Sequence, residues 1–151
     1  MTKYASRLIA LFLLVAATVA LPSVASELLP ELRRKADAAR GGECAKLCLQ
    51  AAQALVEQSS ALFKQGDAAA AQAAIEDALS YAVRGVQESI SARKHREQAE
   101  ISIRELARHL SDLALTLDVE QRGPVDAGVN ILDSLRLQLL ASLFNLKPEP
   151  R

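Results

Sequence analysis

The feature that most constrains this chain is a long segment without helix-breaking residues. Between Ala68 and Arg122 there is no proline, and Gly85 is the only glycine. Such a segment favours helix, as does the abundance of alanine, leucine, glutamine, glutamate and arginine in the chain. Apolar residues recur in it at alternating spacings of three and four, typical of a helix face: Ile75, Leu79, Ala82, Val86, then Ile103, Leu106, Leu110, Leu113 and Leu117. We therefore expect an all-α fold.

Glycine and proline positions predict where the helices begin and end. Pro30 and Pro124 are suited to helix starts, whereas Gly66 is suited to the left-handed residue that follows a helix. Asp67 is then placed to cap the next helix. The predicted helices cover about residues 31–40, 44–65, 68–117 and 124–145. The last of them carries one apolar stripe: Val125, Val129, Leu132, Leu135, Leu139 and Leu143.

The predicted third helix, over residues 68–117, contains a polar segment at residues 91–100. One interpretation is a continuous helix, in which ion pairs such as Arg96 with Glu100 support the polar segment. The alternative is a break near Gly85 or inside the polar segment. In a continuous helix, short loops would fold the second and fourth helices back onto its two ends. We therefore expect elongated helical hairpins that share one long central helix.

Residues 54–82 predict a helical hairpin with small side chains at its contacts. Ala71 and Ala78 would let two helices approach closely, and Gly66 would permit a tight turn. With Leu62 in the first helix, this pattern resembles a single tetratricopeptide helix-turn-helix unit. A generic alanine-rich hairpin is the alternative. The resemblance implies that the hairpin binds a protein partner.

The first 25 residues have the order of a secretory signal. Lys3 and Arg7 precede fourteen uncharged residues, a run shorter than the roughly 20 residues of a membrane-spanning helix. Small residues then favour cleavage after Ala25, which would make the protein exported and periplasmic. An uncleaved anchor is the alternative. The predicted organisation is a signal peptide at 1–25, a short polar helix with a Gly-Gly linker at 26–43, a helical domain at 44–146 and a tail at 147–151.

Charge and composition argue against nucleic acid as a partner. The chain carries 18 basic and 18 acidic residues, and removal of residues 1–25 would leave 16 basic and 18 acidic ones. Aromatic residues make up only 3% of the chain, so neither phosphate neutralisation nor base stacking has a source. We expect no nucleic acid, and contact with a membrane only through an uncleaved signal segment.

The two cysteines, Cys44 and Cys48, raise the main chemical question. Their spacing places the two Cβ atoms about 5 to 6 Å apart on one helix face, whereas a disulfide needs about 3.5 to 4.5 Å. The backbone next to Gly41 and Gly42 can yield, and an exported chain meets oxidising conditions, so a local disulfide is the leading interpretation. Reduced core thiols are the second interpretation.

A soft-metal site is the third interpretation of the cysteine pair. Two thiolates can hold an ion such as Cu(I), and the spacing of Cys44 and Cys48 resembles that along the helices of bundle-type copper-storage proteins. His95 and His109 would lie about 21 Å apart on one continuous helix. We therefore expect each histidine to occupy an ordinary helix face rather than to share a metal ion.

No catalytic motif is present in the sequence. It lacks a glycine-rich phosphate loop, a Gly-x-Ser-x-Gly elbow and a His-Glu-x-x-His helix. Carboxylates at helical spacing beside arginines are expected to form solvent-facing pairs: Glu76, Asp77, Glu97, Glu100 and Glu105.

These observations favour an exported protein that is not an enzyme and needs no cofactor. The leading hypothesis is a protein–protein interaction or structural module of the cell envelope, which binds an unknown protein partner or itself. The alternative is a small soft-metal or ligand-binding protein that uses Cys44 and Cys48.

Overall fold

The computed structural model describes the backbone of residues 24–145 and the side chains of residues 28–145. Within this range the chain forms five helices and no strand: α1 Val24–Ala38, α2 Gly41–Lys64, α3 Ala68–Ala92, α4 Arg96–Leu115 and α5 Val119–Leu143. The all-α prediction is confirmed. The predicted signal segment, apart from its last two residues, and the predicted tail at 147–151 lie outside the described residues.

The predicted hairpin of α2 and α3 has the turn that the sequence indicates. Gly66 adopts a left-handed backbone with a φ of 82°, which glycine tolerates because it has no Cβ atom. The Asp67 carboxylate accepts a hydrogen bond from the Ala70 amide at 3.1 Å and so caps α3. Ala71 and Ala78 are buried where the two helices pack.

The prediction of one continuous helix over residues 68–117 is wrong. α3 ends at Ala92, and α4 begins at Arg96 after a three-residue turn. The alternative prediction, a break inside the polar segment, is confirmed. Arg96 does not pair with Glu100, because it donates hydrogen bonds to the carbonyl and hydroxyl oxygens of Ser142 at 2.6 and 3.0 Å.

The turn between α3 and α4 is built without glycine or proline. Arg93 and His95 have left-handed backbones, with φ values of 53° and 57°, which residues other than glycine adopt only at a cost. Hydrogen bonds offset this cost. The Lys94 amide donates to the Ser89 carbonyl at 3.2 Å, and the buried Ser89 hydroxyl donates to the Lys94 carbonyl at 2.7 Å.

The two hairpins, α2–α3 and α4–α5, enclose one core, so the expected elongated arrangement along one long central helix is also wrong. The turn after α3 folds the second hairpin back, so that α2 lies beside α4 and α3 lies beside α5. A hairpin of two helices leaves one apolar face exposed to solvent. Packing the two hairpins together buries the exposed face of each. Among the largest fully buried side chains are Leu55 of α2, Val86 of α3, Ile103 and Leu110 of α4, and Leu132 and Leu139 of α5.

The predicted Gly-Gly linker is part of a helix. α1 ends at Ala38, and α2 begins at Gly41 after two connecting residues. Gly41 has a left-handed backbone with a φ of 60°, and its amide donates a hydrogen bond to the Glu88 carboxylate at 2.7 Å. The two glycines therefore form the first turn of α2, and α1 folds back against α2 and α3.

The last helix begins earlier than Pro124, where the sequence places its start. α5 starts at Val119, so Pro124 lies inside the helix. The Arg122 guanidinium donates to the carbonyls of Ala114 and Leu117 at 3.0 and 3.2 Å, which ties this extra turn to the end of α4. The predicted apolar stripe of α5 faces the core at its buried members, Val125, Leu132, Leu135 and Leu139.

Candidate functional site

The two cysteines lie together in the first two turns of α2. Their Sγ atoms are 3.3 Å apart, and neither side chain is accessible to solvent. The Cys44 sulfur also lies 3.8 Å from the Ala36 carbonyl of α1. The structure holds both residues as free thiols, so the local disulfide stays a prediction for the oxidised protein.

The start of α2 explains why these thiols meet. Residues four apart share a helix face, and the first turn of α2 is loose, because the Cys44 amide reaches the Arg40 carbonyl at only 3.4 Å. Burial raises the pKa of the Cys48 thiol to about 12, and the adjacent Cys44 acts in the same direction, whereas Arg84 opposes it. The Cys48 sulfur is therefore held neutral at physiological pH, and neutral thiols are poor nucleophiles and poor metal ligands.

α1 covers the thiol pair and is attached to α3 by polar contacts. The Arg33 guanidinium pairs with the Asp77 carboxylate at 2.8 Å and lies 5.8 Å from the centre of the Tyr81 ring. The Asp37 carboxylate pairs with Arg84 at 3.1 Å and accepts a hydrogen bond from the Tyr81 hydroxyl at 3.1 Å. Of these groups, Tyr81 packs against the thiol cluster, and the charges of Asp37 and Arg84 act on the Cys48 thiol.

Neither histidine completes a metal-binding group with the thiols within residues 28–145. His95 precedes the first residue of α4 in the turn, and His109 lies on the exposed face of the same helix. Across residues 28–145, no group of three or more histidine, cysteine, aspartate or glutamate side chains is arranged to hold a metal ion. The cysteine pair would therefore supply a bound ion with two protein ligands.

Two of the predicted solvent-facing carboxylates have structural partners instead. The Glu100 side chain is only 12% exposed and pairs with Arg136 of α5 at 2.7 Å. Asp77 pairs with Arg33 of α1. Both contacts join residues far apart in the sequence, which is why helical spacing could not predict them.

A strip of exposed apolar side chains runs along the α4–α5 hairpin near the chain end of α5. Leu137, Leu140 and Phe144 recur at spacings of three and four on one face of α5. Leu137 is 62% exposed and Phe144 69% exposed. A groove of about 290 Å³ beside Leu137 is lined by Ile101 of α4, by Leu140, Leu143 and Phe144, and by the carboxylates of Glu97 and Glu100. We call this surface the α4–α5 groove.

The sequence interpretation missed the α4–α5 groove, although a signal for it exists. The predicted stripe of α5 faces the core as far as Leu139, whereas its last member, Leu143, lines the groove. Leu137, Leu140 and Phe144 form a second apolar stripe on a different face of α5. A helix with two apolar faces is a sign that one face meets another partner.

A larger groove lies between α1 and α2. Its volume is about 1210 Å³, and it is bordered by Leu28 and Leu32 of α1 and by Ala61 and Leu62 of α2. Each groove lies close to one end of the described range: Leu28 is the first residue whose side chain is described, and Phe144 is followed by one described residue.

Comparison with known proteins assigns no established function to these features. None of the helices in residues 24–145 is long and apolar enough to cross a membrane. No family model matches the chain, and no curated protein and no solved structure matches it either.

Proposed function

We propose that this chain is an exported, non-enzymatic helical protein that acts as a protein–protein interaction module of the cell envelope. The observation that carries the proposal is the α4–α5 groove, where exposed Ile101 and Phe144 lie beside half-buried Leu140 and Leu143. Contiguous exposed apolar surface on a soluble protein marks a binding surface. Export is supported by the sequence of residues 1–25.

The shape of the groove favours a helix as the bound element. It runs between two antiparallel helices, and its apolar side chains follow helical spacing along α5. An amphipathic helix can lay its apolar face into such a groove, with anchors at spacings of three and four. Phe144 supplies a large aromatic contact of the kind that dominates interface energetics.

The charges around the groove favour a basic partner. The charged residues that border it are the carboxylates of Glu97 and Glu100, and no lysine or arginine borders it within the described chain. Glu100 is paired with Arg136, whereas Glu97 is exposed and forms no ion pair with another described residue. A partner that carries lysine or arginine beside its apolar anchors would complement this rim, whereas a second copy of the same surface would bring like charges together.

The proposed binding can be tested with synthetic helical peptides. One fluorescent peptide would carry leucines at helical spacing flanked by lysines, and the matched peptide would carry glutamates in place of the lysines. We expect the lysine peptide to bind the full chain more tightly, with an affinity that falls as salt increases. Phe144→Ser should weaken its binding about ten-fold or more, because it removes most of one buried aromatic contact.

Leu115→Ser is the matched control for this experiment. Leu115 is 76% exposed and lies at the opposite end of the α4–α5 hairpin, so its replacement should leave peptide binding unchanged. Equal loss of binding in Leu115→Ser and Phe144→Ser would contradict the assignment of the groove. Light scattering that shows a dimer dissociated by Phe144→Ser would replace the proposed partner with a second copy of the chain.

The export part of the proposal has a separate test. The mass of the intact protein purified from the envelope of its native host should correspond to a chain that begins at or near Ser26. This position lies in the first turn of α1, so cleavage would remove only the first two residues of that helix. Protein that retains Met1 would refute cleavage and support an uncleaved anchor.

A further inference from the structure

We propose that Cys44 and Cys48 form a dithiol that is oxidised by small-molecule disulfides, and that α1 is the gate that controls this reaction. The thiol pair shares no residue with the α4–α5 groove, so its oxidation does not depend on the proposed partner binding. Three observations support the proposal: the short distance between the two sulfur atoms, their burial under α1, and the weak contacts that hold α1 in place.

The positions of the two thiols favour formation of a disulfide bond between them. Their sulfur atoms lie 3.3 Å apart and point toward each other from adjacent turns. Formation of a bond would require the first turn of α2 to adjust, and this turn begins with Gly41 and Gly42 and has a long hydrogen bond of 3.4 Å from Cys44 to Arg40. The backbone there can yield with little loss.

The cover over the thiols belongs to α1 and the residues that follow it. Ala36 and the two cysteines form a small buried cluster of their own, with Ala39 and Tyr81 packed against it. The main core draws its buried members from α2, α3, α4 and α5, and α1 adds to it only the partly buried Leu29. Movement of α1 away from the bundle would therefore uncover the thiols while the main core stayed packed.

α1 is held mainly by contacts that are individually weak. Ala36 is its one fully buried residue within the described side chains. The ion pair of Arg33 with Asp77 and that of Asp37 with Arg84 are both partly exposed to solvent, and pairs of this kind contribute about 0 to 1 kcal/mol each. Local opening of α1 is therefore expected to need much less free energy than global unfolding.

The proposed reaction is a thiol–disulfide exchange in two steps. After α1 opens, one cysteine loses its proton to water and attacks a disulfide RSSR, which forms a mixed disulfide and releases RS⁻. The second cysteine, also deprotonated, attacks the protein sulfur of the mixed disulfide and releases the second RS⁻. The two thiolates take up the two protons, so the dithiol is oxidised to Cys44–Cys48 and RSSR is reduced to two RSH.

The test is the rate at which a chromogenic aromatic disulfide oxidises the reduced full chain. Arg33→Ala should raise this rate roughly five-fold, because it removes the contacts with Asp77 and Tyr81, together worth about 1 kcal/mol. Arg34→Ala is the matched control. Arg34 is the next residue of the same helix and bonds only to Glu31 within α1, so its loss removes the same charge and should leave the rate unchanged.

Two further measurements distinguish local opening of α1 from global unfolding, and closure of the dithiol from simple modification of one thiol. Leu132→Ala weakens the main core but should leave the oxidation rate nearly unchanged if opening is local. A large acceleration in Leu132→Ala with none in Arg33→Ala would overturn the gate, because exposure would then require global unfolding. Intact-mass analysis should show a product without bound reagent, and a stable protein–reagent adduct would overturn the closure of Cys44 with Cys48.

Discussion

Truncation of Leu132 to alanine is expected to lower the free energy of unfolding by about 3 kcal/mol. The Leu132 side chain is 1% exposed in the core between the hairpins, and removal of a buried leucine costs its transfer free energy together with the cavity left behind, about 2 to 5 kcal/mol in total. Because α2, α3, α4 and α5 enclose one core, the loss should destabilise both hairpins together.

Hydrogen exchange resolved along the chain, together with denaturant unfolding, measures this effect. The free energy of opening measured by exchange should fall by a similar amount for the most stable amides of α3 and for those of α5. The control is Leu137→Ala, the same substitution on the same helix, where the side chain is 62% exposed and the cost should stay below about 1 kcal/mol. Loss of protection confined to α4 and α5 would contradict the single core and would indicate that the two hairpins are stabilised independently.

The helices themselves could be predicted from the sequence because their signals are local. Apolar spacing, alanine content and the turn at Gly66 and Asp67 act over a few residues. The left-handed φ of Gly66 and the cap at Asp67 are both present in the structure. The hairpin of α2 and α3 follows from these signals alone.

The break between α3 and α4 could not be predicted in the same way. Arg93 and His95 carry no local signal for a left-handed backbone, and the polar segment around them has good helix propensity. The break is favoured by the packing that it permits, because only a folded-back chain lets Ile103 and Leu110 meet the core of the first hairpin. The free energy gained by burying these apolar side chains exceeds the helix propensity that is lost at the break.

For the candidate sites too, local features could be predicted from the sequence and long-range contacts could not. The sequence identifies Cys44 and Cys48 as a pair on one helix face, and the structure places their sulfur atoms in contact. Their cover could not be predicted, because Arg33 and Asp77 lie 44 residues apart and belong to helices whose relative positions depend on the whole fold. The α4–α5 groove was missed because the sequence interpretation identifies one apolar stripe on α5 and leaves Leu137, Leu140 and Phe144 out of it.

Gly85 shows how closely α2 and α3 approach, and the substitution Gly85→Ala tests this contact. A Cβ atom at this position would lie 3.0 Å from the Leu49 Cγ atom, 3.2 Å from the Ala45 carbonyl oxygen and 3.3 Å from the Cys48 Cβ atom. None of these is the flexible end of a side chain, so α2 and α3 would have to move apart. Overpacking of this kind costs about 1 to 3 kcal/mol, against a gain of about 0.5 to 1 kcal/mol in helix propensity.

We therefore expect Gly85→Ala to destabilise the protein by about 1 to 2 kcal/mol in denaturant unfolding, the balance of the overpacking cost and the propensity gain. Gly128→Ala is the matched control, because its Cβ atom would meet the methyl ends of Leu79 and Leu110 at 3.4 Å, and these can rotate away. That variant should be unchanged or more stable by up to about 1 kcal/mol. If both variants were stabilised equally, α2 and α3 would have to lie further apart at Gly85 than the structure places them, and the packing beside Cys48 would be looser. The expected difference between the two variants follows from the contacts alone, since both substitutions add the same methyl group to a helix.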